Sequence, residues 1–387
     1  MIVSRRAALK AIGAAAIGAP AILRGRYRVF ASAPDLYLAR TVKIMEAALV
    51  IDMLNQFRFP DYAETPPKIV RWMAHPETFS REDYALYHDS RIDVFALGSG
   101  PSEFTAAVKF LAEWNGFLAS HPDWFLRING VGDIERAHRT RKVGVMLTWQ
   151  EAAEFREADD VNTLQGLGLR VAQLTYNYAN RVGSGFLEQR DGGLTVFGRS
   201  ILKRMNDVGV AVDLSHCGDQ TTLDAIEVSA KPVLFTHANC RALVPEHLRC
   251  KTDDAIRKMA KTGGVMGISF LRFLNRADEP VTIEHVLDHI DHVTMLVGVE
   301  HVGIGSDLDI VGNPNPVNGP AAPDPPNFDR YRVHRDSAGR ITIAGLDHSK
   351  RMFDLTEGLI RRSYSDKEIG LILGGNWARV LGEIWKT

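Results

Sequence analysis

The sequence predicts an α/β fold, a (β/α)8 TIM barrel of parallel strands. Three observations lead there. Eight apolar, β-branched runs are spread along the chain; segments with apolar residues at helical spacing separate them; and two of the runs, GVAVDLSH and PVLFTH, stop abruptly at His216 and His237. Alternating strand and helix patterns favour a parallel sheet, and eight such turns favour closure into a barrel. An apolar strand that ends on an imidazole suits a buried parallel strand whose carboxyl end opens onto a polar site, which in a barrel is the catalytic face.

In chain order the runs are Ala47 to Asp52, Ile92 to Leu97, Val143 to Trp149, Val171 to Tyr176, Val210 to His216, Val233 to His237, Val265 to Phe270 and Val302 to Asp307. After a cap at Ser102, Phe104, Val108, Leu111 and Leu118 make one apolar helix face, and Phe197, Ile201 and Met205 make another that stops at Gly209. On the stretch from Ile283 to Val297 the apolar residues share one side, which is expected to turn His285, His289 and His292 to water in spite of their metal-like spacing. Residues 311–328, rich in Pro, Asn and Gly, predict a long loop at the mouth; 331–345 predict a small hairpin; Ser365 with Glu368 predicts a capping box ahead of the last helix.

The chain of 387 residues, 45% of them hydrophobic, is long enough for one large core, and 40–387 is read as a single barrel domain. A net charge of −1 offers no basic footprint for nucleic acid or for an anionic membrane surface. Residues 1–33 read as a twin-arginine-type export signal: Arg5 and Arg6 precede an apolar stretch from Ala11 to Leu23 that is short for a membrane span. The expected location is the periplasm or cell envelope, with membrane attachment only through an uncleaved signal. Cys217, Cys240 and Cys250 are an odd set without a C-x-x-C pair, so buried structural thiols are expected rather than disulfides or thiolate ligands.

The phrase GGLTVFGRSILKRMNDVGVAVDLSH, then PVLFTH, HLRCKTDD, HVGIGSD and LGGNWARVL, in this order and spacing, resembles the membrane dipeptidase (renal dipeptidase) family of metallopeptidases from about Ala47 onward. The resemblance implies a barrel of the metal-dependent, amidohydrolase-like type, zinc as cofactor and a dipeptide-like small molecule as substrate. It places His216 and His237 as metal ligands, Arg249 as the clamp for a substrate carboxylate, and Asp307 as the proton-transfer group. It also exposes departures. Leu54 and Gln56 stand where the family has a His-x-Asp ligand pair, Gln150 stands for the carboxylate that bridges two ions, and Tyr176 stands for a second histidine that polarises the substrate. Leucine has no lone pair, and a neutral amide is a poor bridge between two dications.

The retained donors suffice for one ion, with Gln150 and Asp307 as further partners of His216 and His237, and not for two; an empty site stays open. Tyr176 either donates to a substrate carbonyl or packs, and Asp52 is expected to support a turn. The activity expected is hydrolysis of dipeptides or related small amides by a metal-activated water. Two other readings stay open: a metal-poor homologue that binds a small carboxylate ligand, and a barrel hydrolase of a lactone or ester. Pairing into a homodimer also stays open.

Overall fold

The computed structural model describes residues 26–27, 37–57, 68–98, 103–276, 279–312 and 341–385. Eight strands form the barrel wall: β1 (Ile51–Asn55), β2 (Val94–Leu97), β3 (Val143–Trp149), β4 (Leu169–Gln173), β5 (Ala211–Asp213), β6 (Leu234–Ala238), β7 (Val265–Ile268) and β8 (Val302–Ile304). Consecutive strands pair in parallel from β1 to β8. The seam between β8 and β1 is held just beyond the strand ends: Asn55 bridges Leu308 in parallel, and Asp307 N donates to Leu54 O at 2.9 Å. Asp52, fully buried, crosses the same seam by accepting from Ser306 N at 2.7 Å and Ser306 Oγ at 2.6 Å. Burial pushes its carboxyl up, against the opposing pull of Arg351, 3.8 Å away.

Side chains alternate across the wall as a period of two requires. Ile51, Met53, Val94, Ala96 and Met146 join an inner cluster with Trp377 and Leu381 of the last helix, Asn376–Ile384. Phe95, Val145, Leu147, Val212 and Phe235 belong to the larger outer cluster under the helices. Trp377 approaches so closely that a Cβ on Gly303 would lie 2.3 Å from its Nε1, so that position has to be glycine. The helix Val196–Val208 starts on the Thr195 side chain and stops at Gly209 in the left-handed region, φ 74°, as its sequence predicts. Ser365 and Glu368 form the expected reciprocal cap. Among the described residues no helix is long and apolar enough to cross a membrane.

Some expectations fail here. The first strand begins at Ile51, because Ala39–Ala47 is a helix, and the strand Tyr37–Leu38 ahead of it pairs with Arg26–Tyr27. With Tyr37 buried and its hydroxyl donating to Asp354 at 3.0 Å, the folded domain reaches back beyond residue 40. A short strand, Phe125–Arg127, pairs with β3 and has too few residues to show any alternation. Residues 1–25 and 28–33 of the export signal, the Ser102 cap, and 313–340 with most of the expected loop and hairpin lie outside the described residues; the described tail, 341–345, forms no strand.

The clearest correction concerns His289, which is buried rather than turned to water. Its Nδ1 accepts from Cys240 N at 3.1 Å and its Nε2 faces Asn275 O at 3.2 Å, so a loop behind β6 and the end of a short helix tie it inward. Periodicity cannot foresee a polar partner from another element. His285 and His292 stay partly exposed, His285 in the cap with Thr282 and His292 beside Asp253 at 2.8 Å. Burial pushes the His289 imidazole from 6.5 down to about 4. Between these values the unfolded chain binds a proton that the folded chain refuses, so stability falls as pH drops, by up to roughly 3 kcal/mol. Urea unfolding of His289→Gln is expected to show a shallower loss between pH 6.5 and 4 than the parent; an equal slope would contradict the assignment.

Candidate metal and catalytic site

β5 and β6 deliver the two histidines to the carboxyl end of the barrel. Both are buried, with ring centroids 5.1 Å apart and Nε2 atoms 3.0 Å apart. Neighbours that the sequence reading passed over fix the tautomers. Asp213, a buried acid at the end of β5, accepts four hydrogen bonds, two of them from the hydroxyls of Ser215 and Thr236 at 2.6 Å each. With its own proton spent on Asp213, Thr236 Oγ1 accepts from His237 Nδ1–H at 2.8 Å. His216 Nδ1–H is in turn taken by Asn177 Oδ1 at 2.8 Å. Both Nε2 atoms therefore present lone pairs to one another.

Gln150 joins them, its amide nitrogen 3.1 Å from His237 Nε2. Tyr176 stacks on the His216 ring at 4.3 Å while staying about two-fifths exposed, so it forms part of the mouth rather than of the core. Arg249 is buried. It donates from Nη1 to Ser215 O at 2.6 Å and from Nη2 to His237 O at 2.7 Å, tying both histidine-bearing segments together. Lys251, also buried, donates to Cys217 O at 2.8 Å, and burial pushes its ammonium down to about 8. Desolvation first, then the positive charge of Arg249 and Lys251, push both imidazoles well below their ordinary range, so both are neutral near pH 7.

The three cysteines are buried and unbridged, burial raises their thiols, and among the described residues none gathers with two other His, Cys, Asp or Glu side chains as a metal seat. Asp307, half-buried just past β8, has a left-handed backbone, φ 60°, and accepts from Gln56 Nε2 at 3.0 Å. Gly305 brings this segment up against β6: a Cβ there would lie 1.9 Å from Thr236 O and 3.2 Å from His237 Cα. The geometry thus gathers His216, His237, Gln150, Tyr176 and Arg249 at one place, with the Asp307 segment packed against it. Leu54 is buried, and Asp52, instead of supporting a turn, ties β1 to the segment after β8 across the seam.

The donors fit one divalent ion. Two facing lone pairs at 3.0 Å repel unless an electrophile lies between them, and ligands of a tetrahedral zinc stand about 3.3 Å apart. Among the described residues no three His, Cys, Asp or Glu side chains gather as a metal seat; Gln150 directs its N–H at His237 Nε2 here and would offer a third donor only with its amide turned over, oxygen inward. A pair of ions does not fit, since Leu54 offers no donor and Gln56 points its N–H at Asp307.

A nearly closed parallel barrel with a histidine pair at its carboxyl end defines the fold class, a TIM barrel of the amidohydrolase-like type. Residues 92–319 match the family model of membrane dipeptidases, peptidase family M19, and the chain belongs to that family. A dipeptidase from Clonostachys rogersoniana, verJ, is 34% identical over 228 residues, which are 58% of this chain and 50% of the relative, so the chain spans about half of that curated relative. The crystal structure of an amidohydrolase from Pseudomonas aeruginosa is similar at 25% identity, with a TM-score of 0.73 over 90% of this chain and 99% of that one. A metallopeptidase from Rhodobacter sphaeroides, solved with a phosphinate mimic of L-Ala-D-Ala, shares the fold at 19% identity and a TM-score of 0.68, covering 87% of this chain and 99% of that one.

Gly305→Ala is expected to lower stability by roughly 1–3 kcal/mol, because the added methyl has only the β6 backbone to displace. Chemical denaturation measures this, and a change within error would show that the seam yields freely.

Proposed function

We propose that this protein is a dipeptidase-like hydrolase, cleaving the amide bond of dipeptides or related small amides at the β5–β6 mouth. The observation that carries the reading is the pair of neutral imidazoles with both Nδ1 atoms tied and both Nε2 atoms converging at 3.0 Å, in a chain of the membrane dipeptidase family. His216 and His237, with Gln150, would hold one zinc or similar ion, which when bound supplies a water acidified enough to attack at neutral pH.

The other roles belong to side chains of the chain itself. Arg249, behind the histidines, draws the carboxylate of a substrate toward the floor of the mouth. Tyr176, exposed beside His216, donates its hydroxyl proton toward the scissile carbonyl oxygen. Asp307, held by Gln56, takes a proton at Oδ2 and returns it to the leaving amine. The Arg5–Arg6 pair and the apolar stretch after it support export to the periplasm or cell envelope.

Purified protein supplied with Zn, Mn or Co is expected to hydrolyse at least one member of a panel of L,L-, L,D- and dehydro-dipeptides. Absence of turnover across the panel sinks the proposal, and thermal stabilisation by dipeptides without turnover would instead identify a binding protein. His216→Ala and His237→Ala are expected to abolish metal retention. Thr236→Val, which frees the His237 tautomer, is expected to weaken zinc affinity roughly 10–100-fold in a chelator competition; unchanged affinity would refute the role given to that hydroxyl.

A further inference from the structure

We infer that Gln56 does with an amide what a cation would otherwise do on the β1 side of the mouth: it holds the carboxylate of Asp307, and that side takes no ion. This deepens the hydrolase reading, and rests on it only where turnover is measured. Gln56 Nε2 donates to Asp307 Oδ1 at 3.0 Å. The two residues sit where the barrel closes, with Gln56 N donating to Leu308 O at 3.3 Å and Asp307 N to Leu54 O at 2.9 Å. The first and last strands thus deliver amide and carboxylate to one seam. The room for the amide comes from Gly98, at the end of β2, where a Cβ would stand 2.9 Å from Gln56 Nε2.

Asp307 has φ 60°, a left-handed conformation uncommon for a residue with a side chain though least so for Asp and Asn, and the Gln56 amide is one of its partners there. An ion placed here would have to displace an N–H already bonded to the carboxylate, and turning the amide around would offer only a neutral oxygen beside one carboxylate. Gln56 is therefore a positioning residue that acts through Asp307.

The test is the metal content of wild type, Gln56→Glu and Gln56→Leu after loading with excess zinc and desalting. Gln56→Glu sets one carboxylate against another, an arrangement that demands a cation. It is expected to retain about one equivalent more than wild type, and wild type about one at most. Two equivalents in wild type, or no gain in Gln56→Glu, overturns the inference; Gln56→Asp gives the same reading should Gln56→Glu fail to fold. Gln56→Leu is expected to keep the wild-type metal content while kcat falls about tenfold and KM stays within about twofold; an unchanged kcat also overturns it. The metal counts need no substrate, so they decide the matter even where the dipeptide panel fails.

Discussion

The site depends on one relay of hydrogen bonds. Asp213 takes the hydroxyl protons of Ser215 and Thr236, and Thr236 is left to accept from His237. Because a hydroxyl has a single proton, spending it on the acid fixes which ring nitrogen of His237 carries hydrogen. Without that constraint the imidazole could present an N–H to the mouth, and the convergence with His216 would be an ordinary hydrogen bond between rings. With it, the two Nε2 lone pairs face each other in a buried space backed by Arg249 and Lys251. Two lone pairs held face to face in this way are relieved by an electrophile placed between them.

Fold and site share their supports. Arg249 reaches the carbonyls of Ser215 and His237, so the same guanidinium that charges the floor also fixes the spacing of the two histidine-bearing segments. The seam where β8 meets β1 plays the corresponding part opposite. Asp52 bonds Ser306 there, and the chain immediately beyond delivers Asp307 to Gln56. Glycines at 303 and 305 let the backbone close in where a side chain would block Trp377 or β6. The amide of Gln56 thus keeps the carboxylate of Asp307 engaged on that side of the mouth.

The charge arrangement follows from those departures. Where the family resemblance implies acidic and imidazole ligands, this chain has Leu54, Gln56 and Gln150, all neutral. Two buried cations close to the histidines are more readily tolerated beside one bound dication than beside two, since each further positive charge in a poorly solvated space costs more than the last. Neutral side chains at these positions and a buried Arg249 therefore point the same way, toward a mouth that takes few cations.

What the sequence determined by itself was whatever depends on local pattern and motif order. The eight strand runs, the stop at Gly209, the Ser365 cap and the two strand-end histidines are all visible because period, chirality and capping act over a few residues. The motif order also carried the family resemblance, which the family match over residues 92–319 bears out. Tertiary structure decided what depends on partners far apart in the chain. It buried His289 against Cys240 and Asn275, tied Arg249 to two backbone carbonyls, chose the tautomers through Asp213 and Asn177, and set the Gln56 amide on Asp307, 251 positions away. A hydrogen bond needs both its ends in place, and only closure of the barrel brings those ends together.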